Sequence, residues 1–379
     1  MSDFIYCDNN ATTAVDPRVL NAMIPFFSTQ YGNASARIYP LGRAAYQVVE
    51  HNRKRIANFL NVNAEELYFT SGATEAINLA MRGVFEVYES RGKHILVSPT
   101  EHKAVLETAL ALEKRGAEIE YLPIDQNGII ILSELEKRIR KDTLLVCVMM
   151  VNNETGVRQT IEDIGKIVHQ HKAFFLCDAT QAPGKTMLNS ISNHADLISF
   201  SAHKIYGPKG VGLLYVKRKN PRVMLAPQIT GGGQERGIRA GTLNVPGIVG
   251  MATAITLIDS DDLNHLKVMR DHFESEILKT GLIKINAFQV PRAVNVSSIT
   301  FQHYTSRELL LEIQDKIAVS TGSACSSENY EPSHVLKAMG LSDTEAISTL
   351  RFSFGRFNTV EEASLVADIV RNVISKEKA

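Results

Sequence analysis

From about residue 45 to residue 250, short apolar runs alternate with longer stretches in which apolar positions recur every three or four residues. The runs at 94–98, 118–122, 144–151, 174–178, 196–200 and 212–216 predict strands, and 67–70 reads the same way. The segments 101–115, 133–141 and 161–171 between them carry helical spacing. Strand and helix in alternation is the pattern of an α/β fold with a mostly parallel sheet, because a parallel connection must cross the sheet and bury a helix against it. Ligands in such folds sit beyond the carboxyl ends of the strands, so the polar residues just after each strand are where chemistry is expected.

A glycine-rich stretch, 231–241, closes the alternating region, and a long polar helical segment, 261–280, leads into a different pattern. With 379 residues the chain is too long for one ordinary core. The expectation is a large domain over 15–255 and a smaller α+β domain built from 256–379. The N-terminal arm, 1–14, is assigned to the small domain, although its pattern would suit either.

Charge narrows the function. The 41 basic and 41 acidic side chains cancel, which speaks against strong direct binding to nucleic acid. The opening Met1-Ser2-Asp3-Phe4 is no signal peptide, and the longest apolar run, 144–151, is far too short to cross a bilayer, so a cytoplasmic protein that does not enter the membrane is expected. The cysteines at 7, 147, 177 and 325 match no metal-ligand spacing and are expected to be reduced thiols, with no metal site.

Several strand ends carry reactive residue types. Ser71-Gly72-Ala73-Thr74 opens a helix, where free backbone amides suit a phosphate or simply an ordinary cap. Asp178 ends the apolar run 174–177, a costly place for a carboxylate unless a cation or hydrogen-bond donors meet it; capping the next turn is the plain alternative. Lys204 follows a strand beside Ser201 and His203, where partial burial would lower its pKa and make it a competent Schiff-base amine. Lys209 stands five residues on, and composition does not separate the two. His102 could stack on a flat cofactor and move protons, or be structural. Cys325 lies in Gly322-Ser323-Ala324-Cys325-Ser326-Ser327, small turn-favouring residues that suit a reactive thiol, whereas Cys147 and Cys177 sit in apolar runs and read as inert.

Taken together and in order, Asp8 to Thr13, Thr70 to Asn78, Thr100 to Lys103, Val151 to Gly156, Asp178 to Gln181, Ser201 to Gly210, Gly231 to Thr242, Ser323 to Cys325 and Arg351 to Ser353 resemble the cysteine desulfurases, fold-type I pyridoxal-phosphate enzymes of the class-V aminotransferase group. The loop around Cys325 and the start Asp8-Asn9-Asn10-Ala11-Thr12-Thr13 are similar to the group I branch, which includes the nitrogenase-type and housekeeping iron–sulfur desulfurases. The Arg-x-Gly-His-His run of the other main branch is lacking.

That resemblance implies a role for each residue. Lys204 would carry pyridoxal 5'-phosphate covalently, Asp178 would pair with its ring nitrogen, Gln181 would reach the ring oxygen and His102 would stack on the ring and move thiol protons. Ala73, Thr74, Ser201 and His203 would bind the phosphate, with Thr242 reaching across from the second subunit of a homodimer. Asn153 and Arg351 would hold the carboxylate of L-cysteine, the Arg fork suiting it geometrically. Cys325 would take the sulfur as a persulfide, leaving L-alanine, and pass it to an acceptor protein for iron–sulfur cluster assembly or thiolation. The chain ends at Lys378-Ala379, short of the tail with which housekeeping members meet their scaffold, so the acceptor stays open among a scaffold protein, a tRNA-thiolation enzyme and a DNA-sulfur-modification system. The rivals are a selenocysteine lyase or another fold-type I enzyme, which needs no nucleophilic cysteine, and a non-catalytic partner in a sulfur-transfer complex, which needs neither Lys204 nor Cys325. A nucleotide-dependent oxidoreductase is set aside because no G-x-G-x-x-G joins an early strand to a helix.

Overall fold

The structure, a computed structural model, describes residues 4–188, 191–321 and 331–376, and Cys325 lies outside them. In chain order β1 (Ile5–Tyr6), α1 (Pro17–Met23), α2 (Pro25–Ser28) and α3 (Pro40–Leu60) lead into the alternating region. There β2 (Leu67–Thr70), α4 (Ala73–Tyr88), β3 (His94–Val97), α5 (Lys103–Glu113), β4 (Glu118–Tyr121), α6 (Leu132–Arg138), β5 (Thr143–Cys147), α7 (Ile161–Gln170), β6 (Phe174–Asp178), β7 (Leu197–Ser201) and β8 (Gly212–Val216) follow one another. Then come α8 (Val245–Thr256), α9 (Ser260–Leu278), β9 (Ile283–Ile285), β10 (Val296–Phe301), α10 (Ser306–Ile313), β11 (Ile317–Ala318), α11 (His334–Ala338), α12 (Asp343–Ile347), β12 (Thr349–Ser353) and α13 (Val360–Ile374).

The alternating region builds one seven-stranded sheet in the order β2-β8-β7-β6-β5-β3-β4. Every pairing from β7 to β4 is parallel, while β8 is antiparallel to both β7 and β2. Two reversals cancel, so β2 points the same way as the parallel strands. The carboxyl ends of β2, β3, β5, β6 and β7 therefore open on one edge of the sheet, and that edge holds every motif read from those strands.

Neighbouring side chains of a strand face opposite sides, and both sides here are covered. Along β6, Phe174 and Leu176 join a core with α4 and α5, whereas Phe175 and Cys177 join one with α3, α7 and α8. A third core lies around the antiparallel sheet β12-β10-β9, where Ile299, Leu350 and Phe352 pack on Phe273 of α9 and Val366 of α13. β1 pairs in parallel with β11, which places Ile5 and Cys7 in that third core.

One predicted strand is shorter than its apolar run. The run 144–151 gives a strand only to Cys147, because the Met149 amide turns away to donate to the buried carboxyl group of Glu101, and Asn152 Oδ1 accepts from the Glu154 and Thr155 amides to start a turn. The remaining apolar side chains stay buried. Among the described residues no helix is long and apolar enough to cross a membrane.

Candidate active site

A cavity of about 580 Å³ opens at the common strand edge. Of the twelve residues expected at the site, Ala73, Thr74, His102, Asn153, Asp178, Gln181, Ser201, His203, Lys204 and Arg351 all line it. Thr242 does not; it is exposed and stands outside the cavity. The twelfth, Cys325, falls outside the described residues, and the described chain on either side of it, Ser320 and His334, lines the cavity wall.

Asp178 ends β6 buried, yet it is not short of partners. Its Oδ1 accepts from the Thr180 amide at 2.9 Å, the Thr180 hydroxyl at 2.5 Å and the Ser199 hydroxyl at 2.9 Å. The other oxygen, Oδ2, accepts no hydrogen bond among the described residues. These donors all fall on one side of a carboxylate that lines the cavity, leaving the second oxygen for a cationic N–H.

Lys204 follows β7 on a short turn. It is half-buried, and its Nζ donates to the carbonyl oxygens of Asn10 at 2.8 Å and Ala11 at 2.6 Å. Burial, reinforced by the charge of Arg351 and opposed by Asp8 and Asp178, brings its pKa down to about 8. Lys209 is exposed on the rim, so burial separates the two lysines where composition did not.

The opposite end of the cavity is built for an anion. No group among the described residues takes the Ala73 and Thr74 amides at the start of α4, the usual condition of a helix N-terminus. Gly212 lets this terminus close on β8: a Cβ there would lie 2.5 Å from the Gly72 Cα. Ser201 and His203 complete the wall, and burial together with Lys204, Lys209 and Lys185 pushes His203 down to about 4. Such a ring is neutral when the anion is missing.

Arg351 arrives from β12, on the antiparallel sheet. Its Nη2 donates to Asp8 at 2.6 Å and its Nη1 to the Asn153 carbonyl at 2.9 Å, while Nε is buried with no acceptor among the described residues. His102 caps α5, its Nδ1 accepting from the Ala104 amide at 3.1 Å, and burial holds its pKa below the ordinary value.

Asn10 ties these pieces together, and no role was read for it in the sequence. Its carbonyl accepts from Lys204 and, at 2.9 Å, from Gln181 Nε2; its Oδ1 accepts from Asn295 at 3.0 Å and from Lys185 at 3.2 Å; its Nδ2 donates to the Asn153 carbonyl at 3.2 Å. Lys185 was missed as well. It is fully buried, donates also to Gln181 Oε1, and is held far below the lysine range by burial and by the charges of Lys204 and Arg351. With Lys185 on the Gln181 oxygen, the Gln181 amide nitrogen is left to Asn10 and the cavity. A lysine seven residues past a strand gives no sequence signal of this. Cys7, Cys147 and Cys177 are all buried, and burial raises each thiol's pKa far above the range in which it would react. No group of His, Cys, Asp and Glu among the described residues could hold a metal ion.

An aspartate at one end, an amine of lowered basicity in the middle and an anion cradle at the other define a protein of the pyridoxal-phosphate class on this fold. Residues 5–366 match the class-V aminotransferase family, and the chain belongs to it. It is 44% identical over 377 residues to "Cysteine desulfurase IscS" of Pectobacterium carotovorum subsp. carotovorum (strain PC1), covering 98% of this chain and 93% of that one. Among solved structures it is similar to a NifS-like protein (TM-score 0.90, 37% identity, 98% and 99% of the two chains) and to SspA in complex with cysteine (TM-score 0.82, 34% identity, 94% and 100%). Enzymes of this family depend in general on pyridoxal phosphate.

Proposed function

We propose that this chain is a cysteine desulfurase: it takes the sulfur of L-cysteine, releases L-alanine and keeps the sulfur as a persulfide on Cys325 for an acceptor protein. The observation that carries this is the cavity's polarity. A carboxylate with one oxygen left open, an amine with pKa about 8 and unpaired helix amides lie along one cavity in a chain 44% identical to IscS proteins.

The residues fit pyridoxal phosphate. Ala73, Thr74, Ser201 and His203 would hold its phosphate, Asp178 Oδ2 its ring nitrogen, Gln181 its ring oxygen, and Lys204 would carry it covalently. Bound there, the cofactor stores the electron pair released at the substrate's α-carbon. The chain's own groups do the rest. Lys204, with a pKa of about 8, is an amine that both takes and returns a proton near neutrality. Arg351 is poised to exchange Asp8 and the Asn153 carbonyl for the substrate carboxylate, which would also satisfy its buried Nε. His102 would cover the ring, its Nε2 proton facing outward from the cap bond.

Residues 15–255 form the large unit, and 1–14 with 256–379 the small unit that brings Arg351 to the cavity. Thr242, exposed and outside its own cavity, serves the phosphate of a second copy, so the protein works as a homodimer, in the cytoplasm. The acceptor is an iron–sulfur scaffold or a thiolation enzyme.

The test is to give the holoenzyme L-cysteine and a reductant and measure alanine and sulfide together, beside Cys325→Ala. Equal amounts from the native protein, lost in a variant that keeps its yellow colour, are expected. Products that persist in Cys325→Ala point instead to a lyase, and a colourless native protein that makes neither ends the enzymatic reading.

A further inference from the structure

Arg351 is buried, and a guanidinium taken out of water needs a counter-charge. Asp8 supplies it. Its Oδ1 accepts from Arg351 Nη2 at 2.6 Å, and among the described residues it is the one carboxylate paired with that side chain. The backbone fixes the meeting. Residues 7–9 run alongside the end of β12: the Ser353 amide donates to the Cys7 carbonyl at 2.7 Å, the Asn9 amide donates to the Ser353 carbonyl at 3.1 Å, and Asp8 bridges in parallel to Ser353. Arg351 precedes Ser353 by two residues and so shares its face of the strand, which brings the fork to the carboxylate. The Tyr6 hydroxyl braces the turn, donating to the carbonyls of Asp8 at 3.1 Å and Thr12 at 2.9 Å.

Arg351 lines the cavity, whereas Asp8 stands outside its lining with 18% of its side chain exposed. The Asp8 charge nevertheless reaches inward, for with Asp178 it opposes the fall in the Lys204 pKa. A ligand carboxylate that takes the Arg351 fork must therefore displace Asp8 or share the guanidinium with it. Displacement gives up a charge-assisted hydrogen bond, and sharing sets two carboxylates side by side. Either way, binding is weaker than an uncharged neighbour at position 8 would allow.

We propose that Asp8 is a resident competitor for the substrate carboxylate: a positioning residue that acts through Arg351 and sets both how tightly a carboxylate binds there and how strongly a second negative charge is rejected. This rests on the reading of Arg351 as the substrate-carboxylate site. Weakened binding has a use at the end of the reaction, because L-alanine carries the same carboxylate as L-cysteine. The return of Asp8 to Nη2 favours its release. Discrimination follows from the tether to β12. A displaced Asp8 remains an anion beside the site, so a ligand with two carboxylates meets more repulsion than a ligand with one. Amino acids with uncharged side chains are thereby preferred.

The experiment measures by calorimetry, at neutral pH, how three thiols without an amine bind to native holoenzyme, Asp8→Asn and Asp8→Glu. Mercaptoacetamide carries no carboxylate, mercaptoacetate carries one and mercaptosuccinate two. The Asn side chain keeps the size of Asp8 and an oxygen for Nη2 but removes the charge. Asp8→Asn should bind the monoacid about 10-fold tighter, the diacid tighter by a larger factor, and the amide as the native protein does. Asp8→Glu, which keeps the charge, should bind both acids more weakly than Asp8→Asn. KM for L-cysteine should fall in Asp8→Asn, and the pH midpoint at which the cofactor-free variant captures pyridoxal phosphate should move below about 8. Acids bound no tighter by Asp8→Asn, an equal gain for all three thiols, or an unmoved midpoint would overturn the proposal. If neither acid outbinds the amide in any of the three proteins, Arg351 is not the carboxylate site, and it is the reading beneath the proposal that falls.

Discussion

Lys204 offers a perturbation whose size follows from the site. Its pKa falls from an ordinary 10.5 to about 8, which at about 1.4 kcal/mol per pH unit disfavours the ammonium by about 3 kcal/mol. Near pH 7.5, roughly one amine in four is then free, against roughly one in a thousand for an ordinary lysine, a gain of about 200-fold in the form that attacks an aldehyde. Cofactor-free protein mixed with pyridoxal phosphate should therefore turn yellow at a rate that climbs with pH and levels off above about 8. Burial is the larger cause and Arg351 the next, so Arg351→Gln should move that midpoint upward without reaching 10.5. The same shift has a stability sign. Below about pH 8 both folded and unfolded chains hold the proton and the folded state bears the whole penalty; between about 8 and 10.5 the unfolded chain binds more protons, so cofactor-free protein gains stability as pH rises through that window. A capture midpoint near 10.5, or one that Arg351→Gln leaves in place, would refute the argument.

Two further substitutions probe the frame around the site. Glu235, from the glycine-rich stretch, accepts from Arg53 at 2.8 and 2.6 Å and from the Phe69 amide at 2.7 Å, all buried, so Arg53→Leu leaves a carboxylate with one donor. It should destabilise the protein by about 3–5 kcal/mol, read as a lower urea midpoint with unchanged slope, and replacing Glu235 by Leu as well should recover part of the loss. Lys185→Met strips Gln181 Oε1 of its donor and should weaken pyridoxal-phosphate binding by about 1–3 kcal/mol, measured by titrating cofactor-free protein; an unchanged dissociation constant would mean that Asn10 alone holds Gln181.

Much of the site was legible because it sits where the α/β pattern says it should. Ser71 to Thr74, His102, Asn153, Asp178 and Ser201 to Lys204 each follow an apolar run, and a run's end can be located from side-chain periodicity without knowing how strands pair. The residues missed are those whose role depends on burial. Lys185 and Glu101 carry charges that a sequence places at the surface, yet packing buries both, lowering the pKa of one far below its range and raising that of the other far above it. Asn10 bonds to residues up to 285 positions away, a relation no local pattern records.

The alternation of strand and helix, the strand-end position of the reactive residues and the small-residue setting of Cys325 could all be read from the chain, because each is a local property of a few neighbouring side chains. Long-range packing settled the rest: that β8 turns back, so that the residues after β2 share an edge with those after β7; that Lys204 is half-buried while Lys209 is exposed; and that Arg351 of β12 reaches the Asn153 carbonyl. Each of these depends on which distant backbone group lies alongside, and that is fixed only when the separate cores come together.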